Sequence, residues 1–116
     1  MEAINAGVPL ICWPFLGDQP ANAIHLTETL DAGYELLEVR TGHGLRPIYR
    51  NGKTPSGTLE TVRAEAEDVL RRAFGEEGKA KRERLLAVKE RLDAAWEEGG
   101  ASRRDAEAFL DAISSL

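Results

Sequence analysis

Between Gly7 and Pro14 the chain reads Val8-Pro9-Leu10-Ile11-Cys12-Trp13, a run with no charged residue. A continuous apolar run this short, bounded by a glycine and a proline, has the pattern of a strand covered on both faces. Such strands belong to parallel sheets flanked by helices, so the first third of the chain reads as α/β material. Met1–Ala6 fits the last turn or two of a helix, with Gly7 as its stop signal. Pro14–Gly17 is a loop, and a helix is predicted from about Gln19 to Asp31. Pro20 suits its first turn, where a missing N–H costs nothing. Ala23, Ile24, Leu26 and Leu30 form its apolar stripe, and Gly33 ends it. Tyr34–Val39, carrying Tyr34, Leu36, Leu37 and Val39, reads as a second strand. Strand, helix and strand in that order make a βαβ unit over residues 1–40, with parallel strands and a right-handed crossover.

Residues 41–58 are a loop rich in glycine and proline, within which Leu45–Tyr49 is a candidate extended piece. Residues 59–116 read as three helices. Leu59, Val62, Ala66, Val69, Leu70 and Phe74 share one helical face, and Gly75 follows. Lys79–Glu98 repeats the pattern with Leu85, Val88, Leu92, Ala95 and Trp96. Ser102 and Asp105 resemble a capping box opening a last helix, with Phe109, Leu110, Ile113 and Leu116 expected inside. Two strands alone do not make a stable sheet. The sequence is therefore expected to be incomplete at its N-terminal end.

A net charge of −5 disfavours phosphate backbones and anionic lipid as partners. Basic residues do cluster at Arg71–Arg72 and at Lys79, Lys81, Arg82 and Arg84. Glu65, Glu67, Asp68, Glu76, Glu77 and Glu83 are interleaved with them, which reads as the solvated face of helices and not as a nucleic-acid footprint. The lone Cys12 excludes an internal disulfide and fits a reducing compartment; in its apolar run it reads as a buried, inert thiol. No stretch nears the roughly 18 apolar residues that cross a membrane. No basic-then-apolar leader opens the chain, so the cytoplasm is the expected address.

Chemistry concentrates in Glu2–Asn22, EAINAGVPLICWPFLGDQPAN. It sets one carboxylate before the buried run and a carboxylate–amide pair, Asp18 and Gln19, after it. Ligands of open parallel sheets bind beyond the carboxyl ends of the strands, where Asp18–Gln19 falls, at a helix N-terminus. A carboxylate accepts from two hydroxyls while an amide both donates and accepts, which suits a sugar. Glu2 has the capacity to hold two ribose hydroxyls in the same way. The plainer readings are that Asp18 is a helix N-cap, that Glu2 is an exposed terminal residue, and that Trp13 and Phe15 are core or rim.

The same stretch resembles the second half of the donor-binding signature of family-1 UDP-glycosyltransferases, called the PSPG box in plant enzymes. The matching positions are Glu2, Ala3, Gly7-Val8-Pro9, Leu10-Ile11, Pro14 and Asp18-Gln19, with Asn22 continuing a frequent extension. Gly99-Gly100-Ala101-Ser102 is similar to a Gly-Gly-Ser-Ser segment of that family. The resemblance implies the C-terminal, Rossmann-like domain of a two-domain GT-B fold. It implies inverting transfer of a hexose from a UDP-sugar to a small lipophilic acceptor, without a metal or other cofactor. Glu2 then matches the ribose-binding glutamate, and Asp18 and Gln19 match the pair that holds the donor sugar. The first half of the signature, with its uracil-stacking tryptophan and its diphosphate-binding His-x-Gly-x-x-x-Ser segment, precedes the matched region, as does the acceptor domain with its catalytic histidine. Neither His25, inside a helix, nor His43, between two loop glycines, takes that role. This chain alone is thus expected to be inactive. The alternative is a non-catalytic helical interaction module built on Leu59–Leu116.

Overall fold

The computed structural model describes residues 2–115. A short helix, α1 (Glu2–Asn5), leads into strand β1 (Leu10–Cys12). The turn between them is set by Gly7, whose φ of +62° is the left-handed conformation that glycine adopts without steric cost. There the Gly7 N–H donates to Ile4 O and the Val8 N–H to Ala3 O, the paired bonds of a Schellman closure. Helix α2 (Gln19–Ile24) continues as a π-helical turn (His25–Thr29). Strand β2 (Gly33–Glu35) then pairs parallel with β1, Leu10 opposite Gly33 and Cys12 opposite Glu35. Sequence and structure agree on this βαβ order.

Several details differ from the sequence reading. The helix after Gln19 ends at Thr29, two residues before the expected Asp31, with Leu30 as its C-cap, and the left-handed residue that closes it is Asp31 and not Gly33. Asp31 takes φ +46°, and the Ala32 N–H returns to Leu26 O; an aspartate tolerates that conformation better than most residues. Gly33 instead opens β2, where a Cβ would sit 2.9 Å from Leu10 O. The second strand is three residues long, and 36–40 is held as a loop. Leu45–Tyr49 forms no strand: a 3₁₀ turn (Gly42–Leu45) ends on its first residue, Arg46 is extended (φ −70°, ψ 160°), and a turn begins at Tyr49. The β1 run is not covered on both faces, since Val8, Leu10, Ile11 and Trp13 are all exposed. The sheet has two strands, so β1 has one hydrogen-bonded neighbour and no second strand beside it among the described residues.

Three helices follow: α3 (Leu59–Ala73), α4 (Glu76–Trp96) and α5 (Ala101–Ser114). Thr58 caps α3, its hydroxyl accepting from the Thr61 N–H at 3.2 Å. The capping box expected at Ser102 is absent. Helix α5 starts two residues earlier than that cap requires, at Ala101, with Gly100 at the cap position and no side-chain cap bond.

The core is small. Leu26, Ala32 and Leu85 form it, with Ile4, Cys12 and Leu30 packed around them, so α4 is the helix that seals the βαβ unit. The predicted apolar faces are only partly used. On α3 Val69 is buried, but Leu59, Leu70 and Phe74 are exposed, and on α5 Phe109, Leu110 and Ile113 are exposed rather than inside. Leu116 lies outside the described residues. The accessible surface is 8380 Å², against roughly 6,200 Å² for a compact monomer of this mass. With extents of 60 × 34 × 20 Å, the helices extend away from the sheet, and that geometry leaves their outer faces uncovered.

Lys81 departs from the solvated-face reading. It is 6% exposed and pairs with Asp31, its ammonium 5.0 Å from the Tyr34 ring centre. Arg84 reaches the same carboxylate at 2.9 Å. The Lys81 hydrogen bond holds the Asp31 carboxyl below its ordinary value of 3.8. A carboxyl lowered by folding stabilises the fold above its unfolded value and ceases to do so as pH falls through the folded one. Thermal midpoints measured from pH 6 down to pH 2 should therefore fall less steeply in Asp31→Asn, which keeps the left-handed backbone, than in the parent. Equal slopes would show that this pair does not contribute to acid sensitivity.

Candidate functional site

Beyond the carboxyl end of β1 the chain turns through Trp13–Leu16 and Gly17 (φ +66°) into α2. Gln19, first residue of α2, folds its side chain back over this loop. Its Oε1 accepts from the Phe15 N–H at 2.8 Å and the Leu16 N–H at 3.3 Å. The amide is thereby oriented, with its Nε2 donors unused within the described residues. Asp18 occupies the cap position of α2, yet its carboxylate does not cap the helix. Oδ2 instead accepts from Asn22 Nδ2 at 2.9 Å. The N-cap reading of Asp18 thus fails in its physical content, because the backbone there is already α-helical (φ −83°, ψ −10°). A side chain in that conformation does not reach the N–H groups of the first turn as an extended N-cap residue does.

Gln19 and Asn22 line a hollow of ≈ 250 Å³ together with Leu10, Cys12, Trp13 and Pro14. The structure therefore gathers Asp18, Gln19 and Asn22 at one corner, two of them facing a shared concavity. Glu2 stands in the first turn of α1, exposed, and is not among the residues lining that hollow. Cys12 borders it half-buried, less covered than the sequence reading had it. Burial, then the Glu35 carboxylate, push its thiol above its ordinary value, which keeps it protonated and unreactive near neutrality. His25 and His43 are both exposed, on the π turn and the 3₁₀ turn. Among the described residues no group of three or more His, Cys, Asp or Glu is arranged to hold a metal.

The chain beyond β2 is tied by residues that sequence reasoning did not single out. Glu65, on α3, accepts from the Leu37 N–H at 2.9 Å and from the Glu38 N–H at 2.8 Å. Glu38 in turn accepts from the Ser56 and Gly57 N–H groups at 2.8 and 3.2 Å. Those bonds hold the Glu38 carboxyl below the usual carboxylate range. Arg50 bridges Glu28 and Glu35, and Glu35 also pairs with Arg40 at 3.1 Å. Apart from Arg40 and Glu35, five residues apart, these partners are separated by 15 to 28 residues and leave no local spacing signal, so pattern alone had no means of finding them.

Comparison with known proteins adds what geometry does not. The profile of the family described as UDP-glucoronosyl and UDP-glucosyl transferase matches residues 1–45, the segment that builds α1, the sheet and the Asp18–Gln19 corner. UDP-glycosyltransferase eriJ of Hericium erinaceus is 42% identical over 117 residues, covering 97% of this chain and 23% of that protein. Flavonol 3-O-glucosyltransferase UGT76E12 of Arabidopsis thaliana is 32% identical over 116 residues, covering all of this chain and 21% of that protein. Zeatin O-glucosyltransferase of Phaseolus lunatus is 29% identical over 114 residues, covering 98% of this chain and 22% of that protein. Similarity thus runs through the helices as well as the signature. The chain belongs to the UDP-glycosyltransferase family and spans about a fifth of the length of the curated relatives it matches.

Proposed function

We propose that this chain supplies the donor-sugar corner of a UDP-glycosyltransferase of GT-B architecture, which moves a hexose with inversion from a UDP-sugar to a small lipophilic acceptor. The observation that carries the reading is the Asp18–Gln19–Asn22 corner beyond the carboxyl end of β1, inside the segment matched by the family profile. Gln19 is oriented by two backbone N–H groups, so its amide nitrogen is held ready to donate to a sugar oxygen. Asp18 keeps Oδ1 for a sugar hydroxyl while Oδ2 is held by Asn22. An exposed carboxylate at Glu2 has the acceptor capacity for two ribose hydroxyls. In the transfer itself the acceptor oxygen bonds to the anomeric carbon as the bond to the diphosphate breaks; UDP departs with the electron pair, and the hydroxyl proton passes to the histidine base that the resemblance places in the acceptor domain. The part of Asp18 and Gln19 is to fix the sugar in line for that displacement. The reading includes no metal and no other cofactor.

The helical interaction module is the weaker reading. Relatives that match along the whole chain are named as glycosyltransferases, which supports reading α3–α5 together with the signature.

Two measurements test the proposal. In a full-length enzyme carrying this sequence, Asp18→Ala and Gln19→Ala should each lower kcat/KM by about 10- to 100-fold, the worth of a hydrogen bond to or from a charged or oriented group. Unchanged turnover in both folded variants would remove the sugar-binding role. By calorimetry, the 116-residue chain should bind UDP-glucose only weakly, with Kd on the order of 1 mM or above, because a few exposed polar contacts supply little free energy. Micromolar affinity would show that this corner is not the whole of the site within the chain.

A further inference from the structure

A second hollow shares Trp13 and Pro14 with the first. It is open, ≈ 750 Å³, and lies between Trp13, Phe15 and Pro20 on one side and Val39, Arg40 and Thr41 on the other. Both walls are loops that follow the carboxyl ends of β1 and β2, the end at which open parallel sheets take ligands. Its size falls within the roughly 300–1,000 Å³ typical of small-molecule sites. Two aromatic side chains reach it with little cover: Trp13 is 63% exposed and Phe15 84%.

The opposite wall is preset. Arg40 Nη2 donates to Glu35 at 3.1 Å, and the Arg40 stem lies against Gly44, where a Cβ would meet Arg40 Cβ at 3.2 Å. The Leu37 and Glu38 amides just before it hang from the Glu65 carboxylate. Arg40 and Thr41 therefore edge the hollow, and the Arg40 guanidinium is already held by Glu35 before a ligand arrives.

Two exposed aromatic side chains across from a fixed cation and a hydroxyl-bearing residue select one chemistry. We propose that this hollow binds a planar aromatic molecule carrying an oxygen substituent, its ring against Trp13 and Phe15 and its oxygen toward the Arg40–Thr41 edge. That the ring belongs to the acceptor of the transfer rests on the function proposed above; that the hollow takes a ring does not. The resemblance puts the acceptor in another domain, so a ring site on this one gives the acceptor a second face.

The test is a nuclear magnetic resonance titration of the ¹⁵N-labelled 116-residue chain, with 2-naphthol and UDP-glucose as separate probes. With 2-naphthol, saturable shifts should concentrate at residues 13–15 and 39–44, the residues of this hollow, and not at Asp18 and Gln19. Trp13→Ala and Phe15→Ala should each weaken binding about 3- to 10-fold, the worth of one aromatic contact. Phe15 is the less covered of the two, so Phe15→Ala carries the test should Trp13→Ala fail to fold. Arg40→Gln should weaken 2-naphthoate more than 2-naphthol. Equal shifts at the exposed Phe74, Trp96 and Phe109 would show indiscriminate apolar adhesion and overturn the proposal, as would the lack of any saturable shift. The UDP-glucose arm reads on the Asp18–Gln19 corner alone, so either site can fail without the other.

Discussion

Replacing Gly78 by alanine should destabilise the fold by about 3 kcal/mol or more, against the usual sign for such a change in a helix. In an ordinary helix interior, alanine gains roughly 0.5–1 kcal/mol over glycine by restricting the unfolded chain. At this position a Cβ would stand 1.8 Å from the Ala73 carbonyl oxygen and 2.5 Å from its carbon. The obstructing atoms are backbone, at the last residue of α3, so no rotamer change relieves them. Either the α3–α4 turn opens or the two helices separate. Both outcomes disturb the buried Val69 on α3 and the pairing of Lys81 with Asp31 from α4. Urea unfolding of the two proteins decides the matter: a Gly78→Ala midpoint equal to or above the parent's would show that the turn has slack the geometry does not allow.

Leu85→Ala should cost on the order of 3 kcal/mol, within the range for deleting a buried leucine side chain. Leu85 is 1% exposed and is the contribution of α4 to a core shared with Leu26 and Ala32. With so few fully buried side chains there is little neighbouring mass to relax into the space. Total stabilities of domains are only about 5–15 kcal/mol, so this one change removes a large share. The thermal midpoint should fall by on the order of 10 °C. Leu86→Ala, one position along, 38% exposed and lying over Gly7, is the control and should move it less. A drop of similar size in both would place the core elsewhere on α4.

The two residues differ in how visible they are in the sequence. Leu85 was readable as a member of an apolar stripe, because helical periodicity reports which residues share a face. Gly78 was not, because its constraint comes from a carbonyl of a different helix. The same division runs through the molecule. Gly7 was legible as a stop signal since a glycine after a helix has a local conformational reason to be there. The order strand, helix, strand was legible from run lengths. The cover over those elements was not: Leu59, Leu70 and Phe74 share the expected face of α3, yet face solvent, because periodicity names a face and not what lies against it.

At the candidate site, Asp18 and Gln19 stood out by their place beyond the first strand and Asn22 only through the family resemblance; the structure sets the three at one corner. Their partners were only partly foreseeable. Gln19 turning back onto the Phe15 and Leu16 amides is a contact over four residues or fewer, within reach of local reasoning. Glu65 closing on Leu37 and Glu38, or Lys81 on Asp31, spans 27 to 50 residues and depends on how α3 and α4 pack. Charge patterning read both as solvent-facing, since a buried charge and an exposed one look alike until the partner is placed.

The carboxylates of Glu65 and Glu38 also have a mechanical meaning. One is rooted in α3 and grips the chain just past the sheet; the other, in that gripped segment, holds the chain just ahead of α3. Together they close a ring of polar links that fastens both ends of the stretch from 37 to 57 to one helix. Arg40 and Thr41 lie inside that ring, so their backbone is anchored on either side by the same element.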